Sequence, residues 1–219
     1  MSGAPVLVVG NRNYSSWSLR PWLLLRQHGV AFDEVKLALD TPDFARDIAR
    51  WSPSGRVPVL HHAGATIWDS LAICEYVSEI FLDGAGWPRD AASRALARSV
   101  SAEMHAGFGT LREALPFNCR RRAPGFRLDD GTRRDIARIT AIWRECRARC
   151  GDGGPFLFGT FSIADAMYAP VASRFVTYDV SVDDISQRWI DAVLELEAMQ
   201  EWLRDAAAEP YILAATDAV

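Results

Sequence analysis

The chain has 219 residues, 49% of them hydrophobic and 24% charged, and a formal net charge of −4. That is enough for one large or two small domains with a real core, and the acidic balance argues against nucleic acid, whose partners are basic. No apolar run approaches the roughly 18–20 residues of a membrane span, and no basic stretch precedes an apolar one at the N-terminus, so there is no signal-peptide pattern. The four cysteines, Cys74, Cys119, Cys146 and Cys150, form neither CxxC nor a zinc spacing, so a cytoplasmic compartment with reduced thiols and no metal are the expectations.

Residues 5–9 are short, apolar and β-rich, and Gly10 ends them; they read as a buried strand. A polar turn follows, and an apolar helical run starts at Trp22. Pro21 has no N–H, so it is tolerated only among the first helical positions. This predicts Ser18 as N-cap and leaves Ser15 and Ser16 just outside the helix, free to face a ligand. The start of a helix offers unpaired N–H groups and a positive dipole end, which suit an anion. Gly29 fits the helix C-terminus.

Residues 32–39 suit a second strand, and 42–51 a short helix capped by Thr41. After a loop at 52–56, residues 57–61 read as a strand opening at Pro58, with cis a candidate geometry. Residues 66–68 form a short strand, and 69–81 a helix with an apolar stripe through Leu71, Cys74, Val77 and Phe81. The order is β-α-β-α-β-β-α, a small α/β domain with a mixed sheet. The Gly/Pro-rich stretch 83–90 reads as a linker between a domain at 1–82 and an all-helical domain at 91–219. Helices are expected near 90–115, 131–150, 162–176 and 184–207, the last divisible in two. Ser162 and Asp165 have the spacing of a capping box, a folding role.

Four motifs carry a resemblance to a known family. Ser15-Ser-Trp-Ser-Leu-Arg20 resembles the zeta-class signature Ser-Ser-Cys-x-x-Arg. Ser52-Pro-Ser-Gly-Arg-Val-Pro58 resembles the NPxxxVP loop with its cis-proline. Trp68-Asp-Ser-Leu-Ala-Ile73 resembles the [E/Q/D]-S-x-A-I glutathione-binding turn. Phe161-Ser-Ile-Ala-Asp165 resembles the S-x-A-D motif of the helical domain. In this order and spacing they identify the chain as similar to the cytosolic glutathione transferases, of a serine class nearest to the zeta and theta patterns.

The resemblance implies a thioredoxin-like N-terminal domain, an all-α C-terminal domain and a homodimer. It implies an enzyme of detoxification that transfers the glutathione thiolate to small apolar electrophiles, without metal, membrane or nucleic acid. The alternatives are a glutathione-dependent isomerase of the maleylacetoacetate type, a dehalogenase, and a non-catalytic binder of apolar ligands. Ser15 or Ser16 is the implied activator of the thiol: alignment from the front of the zeta pattern favours Ser15, and counting back from Arg20 favours Ser16. Tyr14 is a third hydroxyl nearby. Trp17 stands where the zeta pattern has cysteine, which argues against thiol–disulfide exchange and weakens the case for zeta-type isomerisation. Val57 before a cis Pro58 would pair with the cysteinyl backbone, and Asp69 and Ser70 would hold the γ-glutamyl end. Arg56 is a candidate for the glycyl carboxylate, against a plain solvated loop arginine. Tyr14, Trp17, Met104, His105, Phe108 and Leu111 are candidates for a second-substrate pocket; for the last four, ordinary helix packing is an equal alternative. Arg120, Arg121, Arg122 and Arg127 form a local basic patch that reads as a solvated loop, with attraction of anionic substrates as the alternative.

Overall fold

The computed structural model describes residues 3–217. Strand β1 (Val6–Gly10) pairs in parallel with β2 (Asp33–Leu37) and antiparallel with β3 (Val59–His62). β3 in turn pairs antiparallel with β4 (Ala65–Ile67), so the sheet order is β2-β1-β3-β4. Helices α1 (Ser16–Gln27), α2 (Phe44–Ile48) and α3 (Ser70–Phe81) complete the expected βαβαββα unit. Alternate strand residues point to opposite faces. Leu7 and Val9 therefore enter the main core with α1 and α3, while Val8 and Val59 meet Ile48 of α2 on the other face.

The rest is helical: α4 (Ala91–Ala106), α5 (Gly109–Ala114), α6 (Asp130–Cys150), α7 (Ile163–Thr177), α8 (Asp184–Glu195), α9 (Glu197–Ala208) and α10 (Ala214–Asp217). In α7 every residue except Val176 is buried, the pattern of a central helix packed on all sides. It packs against α1, α4 and α8. The α1–α7 contact joins the two halves of the molecule and brings Arg174 of α7 to the first turn of α1. Asp165 holds the start of α7 in the predicted capping box.

Several expectations change. Ser15, not Ser18, caps α1: its Oγ accepts from the Ser18 N–H at 3.3 Å. Ser16 is thus the first helical residue and Pro21 lies inside the helix. The lost bond is outweighed by the cap, by a Gly10 N–H donated to Ser18 Oγ at 3.1 Å, and by burial of Leu19, Trp22, Leu23, Leu24 and Leu25. Each such buried side chain is worth about 1.5–3 kcal/mol, so one proline cannot shift the helix start. The helix expected at 90–115 breaks after Ala106. Gly107 passes so close to the Glu103 carbonyl that a Cβ there would lie 2.8 Å from its oxygen, and Phe108 turns left-handed at φ 58°. The second helix is shorter than 42–51, and Asp43 rather than Thr41 precedes it. Arg120 and Arg121 are not a free basic loop: they bind the carbonyls of Glu209, Tyr211 and Asp217.

Candidate functional site

Three backbone features are relevant, and α1 joins two of its neighbours, α7 through Ser16 and Arg174 and α3 through Arg20 and Ser70. The first turn of α1 carries Ser15, Ser16 and Trp17. The Val57–Pro58 peptide is cis, and Val57 is half-buried beside the exposed Arg56. The N-terminus of α3 carries Ser70, capped by Asp69, whose Oδ1 accepts from the Leu71 N–H at 3.3 Å. The Trp68–Asp69 peptide is also cis.

The side chains behind these features are largely cationic. Arg20 is 1% exposed, and its Nη1 donates to Ser70 Oγ at 3.4 Å while its Nε has no partner among the described residues. Its guanidinium lies over the Trp17 ring at 4.2 Å, and that of Arg112 at 5.4 Å, so both rest on one aromatic face or the other. His105 meets Trp17 edge-on at 5.3 Å, and its Nε2 lies 3.2 Å from Asp69 Oδ2. Arg174 is 4% exposed; its Nε donates to the Leu115 carbonyl at 2.7 Å and its Nη2 to Ser16 Oγ at 3.4 Å. Burial, and then the charges of Arg174 and Arg112, push Arg20 down to about 9. Burial, and then Arg112, push Arg174 down to about 10. Both stay cationic at neutral pH, and neither forms an ion pair among the described residues. Buried charge without a counter-charge is costly; the arrangement is one that an anion would complete.

Tyr14 is occupied elsewhere. Its hydroxyl donates to Asp217 Oδ2 at 2.8 Å and accepts from Arg120 Nη2 at 2.8 Å and the Leu213 N–H at 3.2 Å. Its one proton is therefore taken. Met104 and Leu111 are fully buried, and Phe108 is 8% exposed, all within the main hydrophobic core. Of the six expected pocket residues, only Trp17 and His105 keep partial exposure beside the site. A cavity of about 990 Å³, lined by Glu75, Ser78, Trp87, Arg89, Arg94 and Arg98 among others, shares no residue with this cluster.

Sequence reasoning gives no role to Arg112 or Arg174. For Arg174 a signal exists: it is one of two charged residues in a largely apolar 15-residue helix, and the other, Asp165, is explained by capping.

Residues 14–80 match the family model for the glutathione S-transferase N-terminal domain, and 129–205 that for the C-terminal domain. A probable glutathione transferase of Aplysia californica is 32% identical over 80 residues, which cover 36% of this chain and 84% of that protein. The chain belongs to the glutathione transferase family. The maleylacetoacetate isomerase of Rattus norvegicus is 33% identical over 103 residues, covering 46% of this chain and 47% of the isomerase. The chain thus spans about half the length of that relative. In fold, it is similar to a glutathione transferase homolog from Burkholderia gl BGR1 with bound glutathione, at TM-score 0.71 and 21% identity, over 94% of this chain and 100% of the other. A glutathione S-transferase from the Antarctic clam Laternula elliptica has TM-score 0.71 and 16% identity, over 94% of this chain and 95% of the other.

Proposed function

We propose that this chain is a glutathione transferase that holds glutathione along α1, the cis Val57–Pro58 turn and the start of α3. Its thiolate lies at the first turn of α1, against the Ser15–Ser16 pair. Ser70 and the α3 N–H groups take the γ-glutamyl carboxylate, with Arg20 beside Ser70 supplying charge. Val57 pairs with the cysteinyl backbone, Asp69 faces the γ-glutamyl amine, and Arg56 reaches toward the glycyl carboxylate. The thiolate attacks an electrophilic carbon of a small apolar substrate; a C–S bond forms and the leaving group departs with its electron pair. The protein contributes thiol ionisation and proximity. A homodimer in the cytoplasm completes the reading, by family resemblance.

The observation that carries it is that the first turn of α1 and the start of α3 meet at two buried arginines, Arg174 and Arg20, which form no ion pair among the described residues. The same arginines favour a second reading. Arg20 and Arg112 over Trp17, with Arg174 on the neighbouring Ser16, suit an anionic electrophile better than a neutral one, as an isomerase of maleyl compounds requires. There the thiolate adds to the double bond, the chain rotates, and elimination returns the thiolate.

A substrate panel with glutathione tests both. Aryl halides, epoxides, peroxides and maleyl compounds are supplied, and conjugates and isomers are quantified. Turnover of neutral aryl halides or epoxides supports conjugation; isomerisation of maleyl compounds without net glutathione loss supports the second reading. Absence of glutathione binding by calorimetry contradicts both.

A further inference from the structure

Asp69 at the start of α3 and His105 at the end of α4 face each other. Asp69 Oδ1 accepts from the Leu71 N–H at 3.3 Å, which leaves the other oxygen, Oδ2, outside the helix cap. His105 Nε2 lies 3.2 Å from Oδ2. No arginine or lysine pairs with Asp69 among the described residues, although Arg20 and Arg112 both lie over the neighbouring Trp17 ring. The Asp69 side chain is half-exposed, so its carboxylate has lone pairs left for a ligand.

His105 is held in place from two sides. Its ring meets Trp17 edge-on at 5.3 Å, and its carbonyl accepts from Arg112 Nη1 at 3.4 Å. The other charged and titratable groups around the pair are Arg20 on α1, Glu103 on α4 itself, Arg112 and Glu113 on α5, Asp135 and Arg138 on α6, and Tyr168 and Arg174 on α7. Glu103 is already paired with Arg138 at 2.7 Å, and Asp135 accepts from the Leu111 N–H at 3.0 Å. Among these residue types, histidine is the one whose ordinary titration falls between pH 5 and 8.

We infer that His105 is a positioning residue that sets, through Asp69, how strongly the site prefers a ligand carrying an ammonium at its γ-glutamyl end. This rests on the glutathione reading above, in which Asp69 faces the γ-glutamyl amine. While His105 is neutral, the Asp69 carboxylate is left to the ligand's ammonium. Once protonated, the imidazolium stands 3.2 Å from the same carboxylate, satisfies its charge and repels the ammonium. Carboxylates and a primary ammonium keep their charges from pH 5 to 7, so the histidine is what changes over that range. The γ-glutamyl carboxylate is attracted by the same imidazolium, which offsets the loss in total affinity. The preference for an amine, with that carboxylate present in both ligands compared, isolates the effect.

The test is calorimetric binding of glutathione and of deamino-glutathione, in which glutaryl replaces γ-glutamyl, at pH 7 and pH 5, to wild type, H105N and D69N. The quantity read is the ratio of the two affinities. In wild type, glutathione is expected to be preferred at pH 7, and the preference to fall by about threefold at pH 5, the effect of two unit charges about 6 Å apart in water-like surroundings. H105N is expected to keep one ratio at both pH values, and D69N to show little preference at either. If H105N does not fold, H105Q, also uncharged at both pH values, takes its place. A wild-type ratio that does not change with pH overturns the proposal. So does an equal fall in H105N, which would assign the titration to another group. A wild-type protein that binds both ligands equally at pH 7 also overturns it, because Asp69 then reads no amine, while glutathione binding itself stands. A wild-type protein that binds neither ligand contradicts the glutathione reading, which separates that failure from this one.

Discussion

At the scale of single residues, what a hydroxyl can donate is decided by what it already binds. Tyr14 illustrates this. Its proton goes to Asp217, and its oxygen accepts from Arg120. Tyr14→Phe is therefore expected to leave the thiol pKa of bound glutathione unchanged and to lower stability by about 1 kcal/mol, the usual worth of a hydrogen bond. Denaturant unfolding and the thiolate titration measure the two quantities; a raised thiol pKa in this variant would assign Tyr14 to the chemistry. Asp165 is the opposite case, a carboxylate whose partners are all structural. It accepts from the Leu157 N–H, the Ser162 N–H and the Ser162 hydroxyl, each at 2.9 Å, and from Trp189 Nε1 at 2.8 Å. Burial pushes its carboxyl above the usual range, against the pull of these bonds. Asp165→Ala would strand buried donors and is expected to destabilise the fold by about 3–5 kcal/mol. Glutathione affinity of the remaining folded fraction should be unaltered.

At the scale of elements, caps and clasps determine where the site residues stand. Asp183 caps α8, accepting from the N–H groups of Ile185 and Ser186 at 3.1 and 3.0 Å, and pairs with Arg144 at 2.8 Å. Burial raises its carboxyl, but the Ser186 and Arg144 interactions outweigh that and bring it from 3.8 down to about 2. An acid made stronger by folding stabilises the folded state above its unfolded value and loses that contribution as protons bind. The stability advantage of wild type over Asp183→Asn should thus be full at pH 5 and vanish as pH falls from about 4 toward 2, in denaturant unfolding at fixed ionic strength. A constant difference across that range would contradict the sign. The second device is the segment after α9. Glu209 is 7% exposed and its carboxylate accepts from the backbone N–H groups of Arg12 and Asn13 at 2.9 and 3.1 Å, with Lys36 at 3.2 Å. It fastens the turn that leads into Ser15. Glu209→Gln replaces one acceptor oxygen by a donor, so one backbone N–H loses its partner. Amide exchange at residues 11–14 is expected to speed up in that variant, while exchange in α6 stays slow. Equal protection of 11–14 in both proteins would show that the clasp contributes nothing.

At the scale of the whole molecule, the parts legible in the sequence are those set by local pattern. The βαβαββα order shows because apolar runs switch period between clear turn residues, and the capping box at 162–165 shows because its two members are three residues apart. The start of α1 does not, because a local argument from Pro21 ignores the buried leucines that fix the helix from outside. The α4–α5 break likewise depends on the close approach of Gly107 to a carbonyl, which no propensity records. The partner of Ser16 lies 158 residues away, and only the packing of α7 on α1 joins them. The cationic surroundings of Trp17 arise in the same way, from Arg20 and Arg112 on two different helices. No helix among the described residues is long and apolar enough to cross a membrane. The central claim is that this assembly, made by two domains together, ionises the thiol of glutathione. It is tested most directly by titrating glutathione bound to the wild-type protein through its thiolate absorbance. The account predicts a bound thiol at least one unit more acidic than an ordinary thiol of about 8.5, and a return toward that value when Ser15 and Ser16 are both replaced by alanine. A bound thiol that titrates as it does free in solution, or an acidic one that survives the double replacement, would contradict it.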